Sequence, residues 1–480
     1  MSGQGRAGGR SLRQRRRLAL TPVPSPRPTA AALADLVARY DGRAPRYTSY
    51  PTAVQFTPKV SSETYRDWLA KLPTTEPVSL YMHIPFCERL CWYCGCNTRA
   101  VRRHGPVADY VDYLLRELAL LEEALPGRLP VSAIHLGGGS PNMLEPDELD
   151  LLFAGIGRVF QKTADLEVAA ELDPPGLTRE WARAAAHHGL SRASLGVQNL
   201  SPEVQKAVNR SGSIEEVARC MDWLRQAGVR SINLDLMYGL PHQTTANTLE
   251  TLQGLLPLRP ERLALFGYAH VPWMKSHQQL IDENALPGPT ERLDQAESAA
   301  DLLQAEGYVR VGLDHFALPE DELAIAQRQG DLRRNFQGYT TDAAKTLLGL
   351  GASAIGSLPE GYVQNIAQEL SWRAAVDQGL LPVARGVELS ADDRLRAEII
   401  GRLMCDFRVD LFDVCCRHGR DMGAFTPHLD RLKAFARDGL VECQGGRIAV
   451  TDTGRLVVRS ICAVFDAYFE PEAGRHARAI

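Results

Sequence analysis

The sequence predicts an α/β protein, an open partial (βα)6 barrel of parallel strands followed by a mainly helical, winged-helix-like domain. Three observations carry this. Between about 78 and 317, short β-rich runs alternate with helix-length segments about six times, the pattern of βαβ units with right-handed crossovers. The strand runs are nearly continuous apolar stretches, as expected for parallel strands covered on both faces. After about residue 370 the alternation stops and helices lead into a hairpin. Six units are fewer than the eight that close a full barrel.

Taken in order, the first residues come apart from the rest. They carry seven arginines from Arg6 to Arg27, the prolines Pro22, Pro24, Pro26 and Pro28, and no acid before Asp35. Such a segment buries too little apolar surface to order itself, so 1–38 is expected as a disordered tail. An Arg-rich, acid-free start also resembles an organelle transit peptide, but the prolines interrupt any amphipathic helix. A segment over 39–77 follows.

The strand candidates are 78–86, 132–138, 166–172, 192–198, 231–239 and 263–269, with 308–316 as a seventh. The clearest helix begins near Asp109 and places Val111, Leu114, Leu115, Leu118 and Leu121 at helical spacing. Another follows Ser213, with Glu216 three residues on in a capping-box pattern. The barrel is expected over 78–370 and the last domain over 371–480. There, helices near 392–407, 412–417 and 428–437 precede a hairpin turning at Gly445–Gly446 and a last helix from about Gly454. The third helix mixes Asp430 and Asp438 with Arg431, Lys433 and Arg437, which is no basic stripe, so a lid is expected rather than a nucleic-acid reader.

The bulk properties exclude several classes. In 480 residues, 45% are hydrophobic and the net charge is −4, which gives no reason to expect nucleic acid or an anionic membrane. No apolar run approaches the roughly 20 residues of a membrane span, so a soluble protein of a reducing, cytoplasmic compartment is expected. Ten cysteines in a secreted chain would suggest disulfides, but four of them, Cys87, Cys91, Cys94 and Cys96, fall within ten residues. Such crowding reads as metal or redox chemistry.

Cys87, Cys91 and Cys94 stand at Cys-x3-Cys-x2-Cys directly after the first strand. Three thiolates hold three irons of a 4Fe–4S cubane and leave the fourth open to S-adenosylmethionine (SAM), whose sulfonium the cluster can then reduce. Four thiolates would close the site and suit electron transfer alone. Structural zinc is the alternative, though it more often takes two separated Cys-x-x-Cys pairs.

With its neighbours, this spacing resembles the radical SAM superfamily and, within it, the oxygen-independent coproporphyrinogen III oxidases. The segments carrying the likeness are RYTSYPTA, YMHIPFC, CGCN, GGGSP, GVQ, VNR, LDLMYGLP, GYAH and RNFQGYTT, covering about residues 40 to 470. The resemblance implies a 4Fe–4S cluster on Cys87, Cys91 and Cys94, and two SAM molecules. Around the cluster-bound SAM it places Tyr81, Gly138, Glu171 and Ile355. Around the second it places Tyr93, Gly139, Ser140, Gln198, Arg210, Asp235 and Ala269. Ser140 stands where the family has Thr and keeps the hydroxyl. Glu171 and Asp235 end predicted strands, where they can accept hydrogen bonds from a ribose or ammonium, and Arg210 can pair with a methionine carboxylate.

Cys96 lies too close to Cys94 for both to bind the cluster, so it is read as a catalytic group in substrate or proton handling. His83, Tyr268 and Gln337 are the other catalytic candidates, with core packing the competing account for His83 and Tyr268. Arg46 and Arg334 are cation candidates for the substrate's propionates. The implied reaction converts two propionates of coproporphyrinogen III to vinyl groups in haem biosynthesis. The implied partners are a reductant protein such as a flavodoxin or ferredoxin and an electron acceptor that the sequence does not name, serving a monomer. Segment 39–77 would cover the substrate. The rival readings are a radical SAM-like haem chaperone, a radical SAM enzyme of another tetrapyrrole, and a simple iron–sulfur carrier.

Overall fold

The computed structural model describes residues 30–40 and 44–470. Residues 30–40 form helix α1 (Ala30–Tyr40). The proline-rich composition ends at Pro28, after which Leu33, Leu36 and Tyr40 recur at helical spacing and pack on the core of the C-terminal unit. The tail expected over 1–38 therefore does not extend through Ala30, and residues 1–29 lie outside the described residues. Helix α2 (Ser62–Leu69) is capped by Ser61 and buries Tyr65, Trp68 and Leu69.

Six parallel strands follow in spatial order: β1 (Val78–Ile84), β2 (Leu129–Gly138), β3 (Phe160–Leu172), β4 (Leu190–Gln198), β5 (Ser231–Tyr238) and β6 (Arg262–Gly267). The crossovers are α3 (Gly105–Ala124), α4 (Pro146–Val159), α5 (Arg179–His187), α6 (Ile214–Ala227) and α7 (Thr245–Leu255). Leu80, Met82 and Ile84 of β1 are fully buried, each worth about 1.5–3 kcal/mol against exposure. Of the capping box expected on α6, the Ser213 half is present, its hydroxyl accepting the Glu216 N–H at 3.2 Å.

Helix α8 (Pro289–Ala305) comes next, and then the sheet departs from expectation. Residues 308–316 are not one strand but two, β7 (Val309–Val311) and β8 (His315–Ala317), which form an antiparallel hairpin beyond β6. Gly312 turns the chain between them at φ +57°, a conformation that breaks an extended run. The seventh parallel strand is β9 (Thr346–Leu350), which pairs with β1 on its other side. Strands β10 (Ile355–Ser357), β11 (Gly361–Asn365) and β12 (Val383–Glu388) extend that edge antiparallel. The result is one open sheet of twelve strands.

Because β12 belongs to this sheet, the boundary expected at 371 moves; it falls inside the helix Glu369–Asp377, and the C-terminal unit begins at α9 (Ala391–Asp406). Its elements run α9, β13 (Arg408–Asp410), α10 (Leu411–Arg417), α11 (Thr426–Arg437), β14 (Val441–Gln444), β15 (Arg447–Val450) and α12 (Val458–Ala463). The three short strands pair in the order β13-β15-β14, the helix-and-wing order expected. A second core, including Ile399, Leu403, Leu432 and Phe465, holds this unit together and takes in Tyr47 and Tyr50 from the N-terminal segment. Among the described residues no helix is long and apolar enough to cross a membrane.

Candidate active site

Chemistry on parallel sheets gathers at the C-terminal strand ends, and the predicted residues lie there. The loop after β1 carries all four clustered cysteines and is closed at its base by the two-residue parallel pairing of Phe86–Cys87 with Arg99–Ala100. Cys87, Cys91 and Cys94 are half-buried and Cys96 is exposed. The Ser140 hydroxyl lies 3.5 Å from the Cys87 sulfur, and Arg210 Nη1 donates to the Cys91 sulfur at 3.4 Å. The Cys96 N–H points at the Cys94 sulfur at 3.4 Å. Hydrogen bonding from Cys96 lowers the Cys94 thiol to about 7, toward the thiolate a metal requires. Among the described residues no three His, Cys, Asp or Glu side chains converge on a single-ion centre. Three thiols on one loop fit three irons of a cubane.

The end of β2 comes in against this loop. Gly139 N–H donates to Ile84 O and Ser140 N–H to Phe86 O, both at 2.7 Å. A Cβ on Gly139 would lie 2.5 Å from the Phe86 carbonyl oxygen, so only glycine fits.

Of the residues expected around the cluster-bound SAM, Tyr81, Gly138 and Glu171 form one arc of hydrogen bonds and a ring stack. Tyr81 Oη meets His83 Nδ1 at 3.0 Å, and His83 Nε2 donates to Asn97 O at 2.8 Å inside the cysteine loop. The Tyr81 ring stacks on His135, directly across from it on β2. His135 Nε2 then reaches Glu171 Oε1 at 3.1 Å, and Gly138 N–H donates to Glu171 Oε2 at 3.1 Å. Burial raises the Glu171 carboxyl, but the His135 and Gly138 hydrogen bonds outweigh it and hold it below its ordinary value. Ile355 stands on the far side of β1, where β10 turns back.

The second set is split. Arg210 donates to Asp173 Oδ1 at 2.8 Å and to Gly196 O, beside Gln198. Its charge is already engaged by a carboxylate of the chain. Asp235 accepts from the Ser194 hydroxyl at 2.6 Å and from Asn233 Nδ2 at 2.8 Å. Burial still pushes it up to about 6. Tyr93 packs in a small apolar cluster with Tyr268, whose hydroxyl meets His270 Nδ1 at 2.8 Å.

Gln337, Tyr268 and Ala269 line a cavity of about 710 Å³ at the end of β6. Its wall also includes Arg46, Arg292, Arg310, Arg334 and Arg459. The segment 268–288, between β6 and α8, joins this cavity to the cysteine loop. Lys275 Nζ donates to Cys96 O at 3.0 Å and His277 Nε2 to Cys94 O at 2.7 Å. Gln278, 1% exposed, donates to Tyr93 O at 3.1 Å and Ala269 O at 3.3 Å and accepts the Val271 N–H at 2.6 Å. Sequence reasoning missed this strap, along with His135 and Asp173. Only the cross-strand register of Tyr81 with His135 could have signalled His135, and the strap has no periodicity to read.

A parallel sheet with three thiols on its first loop defines a radical SAM enzyme, and residues 81–255 match the model of the radical SAM superfamily. Residues 389–457 match that of the HemN C-terminal domain. The oxygen-independent coproporphyrinogen III oxidase of Bradyrhizobium diazoefficiens is 48% identical, over 93% of this chain and 100% of that protein. That of Paracoccus denitrificans is 42% identical, over 92% and 97%. The crystal structure of coproporphyrinogen III oxidase (HemN) from Escherichia coli, described as a radical SAM enzyme, matches with a TM-score of 0.85 and 37% identity over 88% of this chain and 98% of that one. The chain belongs to the oxygen-independent coproporphyrinogen III oxidase family.

Proposed function

We propose that the protein carries out the oxidative decarboxylation of two propionates of coproporphyrinogen III to vinyl groups, giving protoporphyrinogen IX in haem biosynthesis without oxygen. The observation that carries this beyond family membership is the position of the cysteine loop, tied by one strap to a cavity of about 710 Å³ rich in arginine. When bound, the cluster and SAM supply a 5′-deoxyadenosyl radical that takes a hydrogen atom from the β-carbon of a propionate.

In this reading Cys87, Cys91 and Cys94 hold the cluster. Gly138, Glu171, Tyr81 and Ile355 orient SAM on it, the Glu171 carboxylate being kept ionised by His135. Gly139, Ser140, Gln198, Arg210, Asp235, Tyr93 and Ala269 form the second SAM site, with Asp235 free to accept from a ribose as its own donors allow. Cys96, exposed beside Cys94, together with His83, Tyr268 and Gln337, faces substrate or protons. The C-terminal unit and segment 39–77 close over the cavity and exclude water. A reductant protein such as a flavodoxin or ferredoxin supplies one electron, and a one-electron acceptor takes the electron the substrate loses as carbon dioxide leaves. A monomer in the cytoplasm completes the reading.

The test is anaerobic turnover of reconstituted protein with SAM, reductant, coproporphyrinogen III and a crude extract as source of acceptor, followed by mass spectrometry. Divinyl product with matching loss of carbon dioxide is expected. SAM cleavage without decarboxylation would move the substrate to another tetrapyrrole. No cleavage with tight haem binding would favour a chaperone.

A further inference from the structure

The cavity contains a cation with two unpaired donors. Arg334 Nε and Nη1 are buried with no hydrogen-bond acceptor, an arrangement that leaves two desolvated donors unpaired. The guanidinium lies 4.5 Å over the Tyr339 ring. That ring is itself fixed, its hydroxyl donating to Met404 O at 2.8 Å and accepting the Leu313 N–H at 3.0 Å. Arg334 is therefore stacked on a ring fixed by the C-terminal unit and the β7–β8 turn, with Asp314 as its electrostatic neighbour but no acceptor on Nε or Nη1.

Its surroundings are cationic. Arg46 and Arg292 line the same cavity, and each uses an N–H on a backbone carbonyl, Gly267 O at 3.4 Å and Tyr268 O at 2.9 Å. Asp314, the acid nearest this group, is engaged by His315 Nδ1 at 2.7 Å. Burial would raise its carboxyl, yet the His315 hydrogen bond with the Arg334 and Arg46 charges holds it at about 2. Glu283 on the opposite wall is taken by His270 at 3.0 Å.

We infer that Arg334, flanked by Arg46 and Arg292, anchors the carboxylates the substrate keeps, not the one it loses. This rests on the tetracarboxylate reading of the cavity. The chemistry separates the two roles. A carboxylate leaving as carbon dioxide sheds its charge, so an ion pair made with it in the ground state weakens on the way to the transition state and raises the barrier. A retained carboxylate keeps its charge throughout, and an ion pair there binds substrate and transition state alike. An arginine cradle in the cavity wall thus fixes the ring while the reacting propionate extends toward the cysteine loop.

The carboxylate could also be that of a methionine moiety, and the test separates the two sources. Binding of coproporphyrin III, the stable oxidised tetracarboxylate, and of SAM is measured by calorimetry on the full chain, wild type against Arg334→Gln, with Arg334→Lys as the conservative variant. Loss of about tenfold in coproporphyrin affinity, partly restored by lysine, with SAM affinity unchanged, is expected. In turnover, KM should rise about tenfold while kcat falls far less. Equal coproporphyrin affinity, or a loss confined to SAM, overturns the inference. So does a kcat that rises along with KM, which would place Arg334 on the departing carboxylate. Failure of the wild type to bind coproporphyrin III would instead sink the tetracarboxylate reading. If Arg334→Gln does not fold, Arg46→Gln is measured against the same outcomes.

Discussion

Gly139 shows how tightly single positions are constrained where β2 meets the cysteine loop. A methyl group there would meet three backbone atoms of Ile84 and Phe86 that cannot move without displacing Cys87. Gly139→Ala is therefore expected to lower iron and sulfide content after reconstitution, with strain of about 1–3 kcal/mol in the unloaded protein, read by thermal melting. Glu117 on α3 is a different case, 3% exposed and reached by the Gly351 N–H at 2.8 Å, Asn365 Nδ2 at 2.6 Å and Trp372 Nε1 at 3.1 Å. Burial outweighs these donors and pushes its carboxyl from 4.5 up to about 7. The folded chain then holds a proton that the unfolded chain has released, so the stability this adds is complete below about pH 4.5 and is lost as pH rises through 7. The amount is about 3 kcal/mol. Urea melts at pH 5 and pH 8 should show that loss, and Glu117→Gln should flatten it. The spacing of Cys87, Cys91 and Cys94 was readable in the sequence, and the family resemblance singled out Glu171 and Asp235. The groups that set their charge were not readable, because His135, Ser194 and Asn233 meet them only across strands whose register the sequence does not state.

Among the elements, the strap over 268–288 does most to connect the two halves of the site. Its grip on Tyr93, Cys94 and Cys96 is through backbone carbonyls, which any sequence would present, so the loop is held by geometry rather than by side-chain identity. Gln278→Ala removes the hydrogen bond from the strap to Tyr93 O of the cysteine loop and two more within the strap, to Ala269 O and from the Val271 N–H. Hydrogen–deuterium exchange of the peptide spanning 91–98 should rise several-fold in that variant, while exchange in β2 to β4 stays as in the wild type. The six strands β1 to β6 were legible because each is a long apolar run between recognisable helices. Strand β9 was not, being five residues long and followed directly by the Gly351 turn. The hairpin β7–β8 was misread as one strand because its apolar residues continue through the turn and only the conformation of Gly312 divides them.

At the scale of the molecule, the cavity is walled by parts far apart in the chain. Arg46 and Thr48 come from the N-terminal segment, Leu456 and Arg459 from the C-terminal unit, and the rest from the region between β5 and the hairpin at 333–340. The two ends are tied to each other, Tyr47 Oη donating to Asp466 Oδ2 at 3.0 Å and the Ala467 N–H to Tyr50 Oη at 2.9 Å. Asp466→Ala should loosen this closure without touching the cysteine loop. The expected readout is a higher ratio of SAM cleaved to vinyl group formed; an unchanged ratio would show that these ends do not guard the site. The change of character after 370 marked a separate C-terminal unit, but not that its core would include Tyr47 and Tyr50, since contacts between distant segments leave no local pattern.

That closure also sets an order of birth. Domains form as the chain leaves the ribosome, beginning from its N-terminus. The span from 78 to 267, with the whole cysteine loop, emerges some two hundred residues before Asp466 and Ala467. A nascent chain can thus present its thiols on an open sheet while no substrate chamber yet exists. Iron and sulfide can enter from the exposed side, and the chamber closes only once Asp466 and Ala467 have followed. A chain lacking Asp466 and Ala467 would keep the cysteine loop and lose the contacts to Tyr47 and Tyr50 that enclose the cavity.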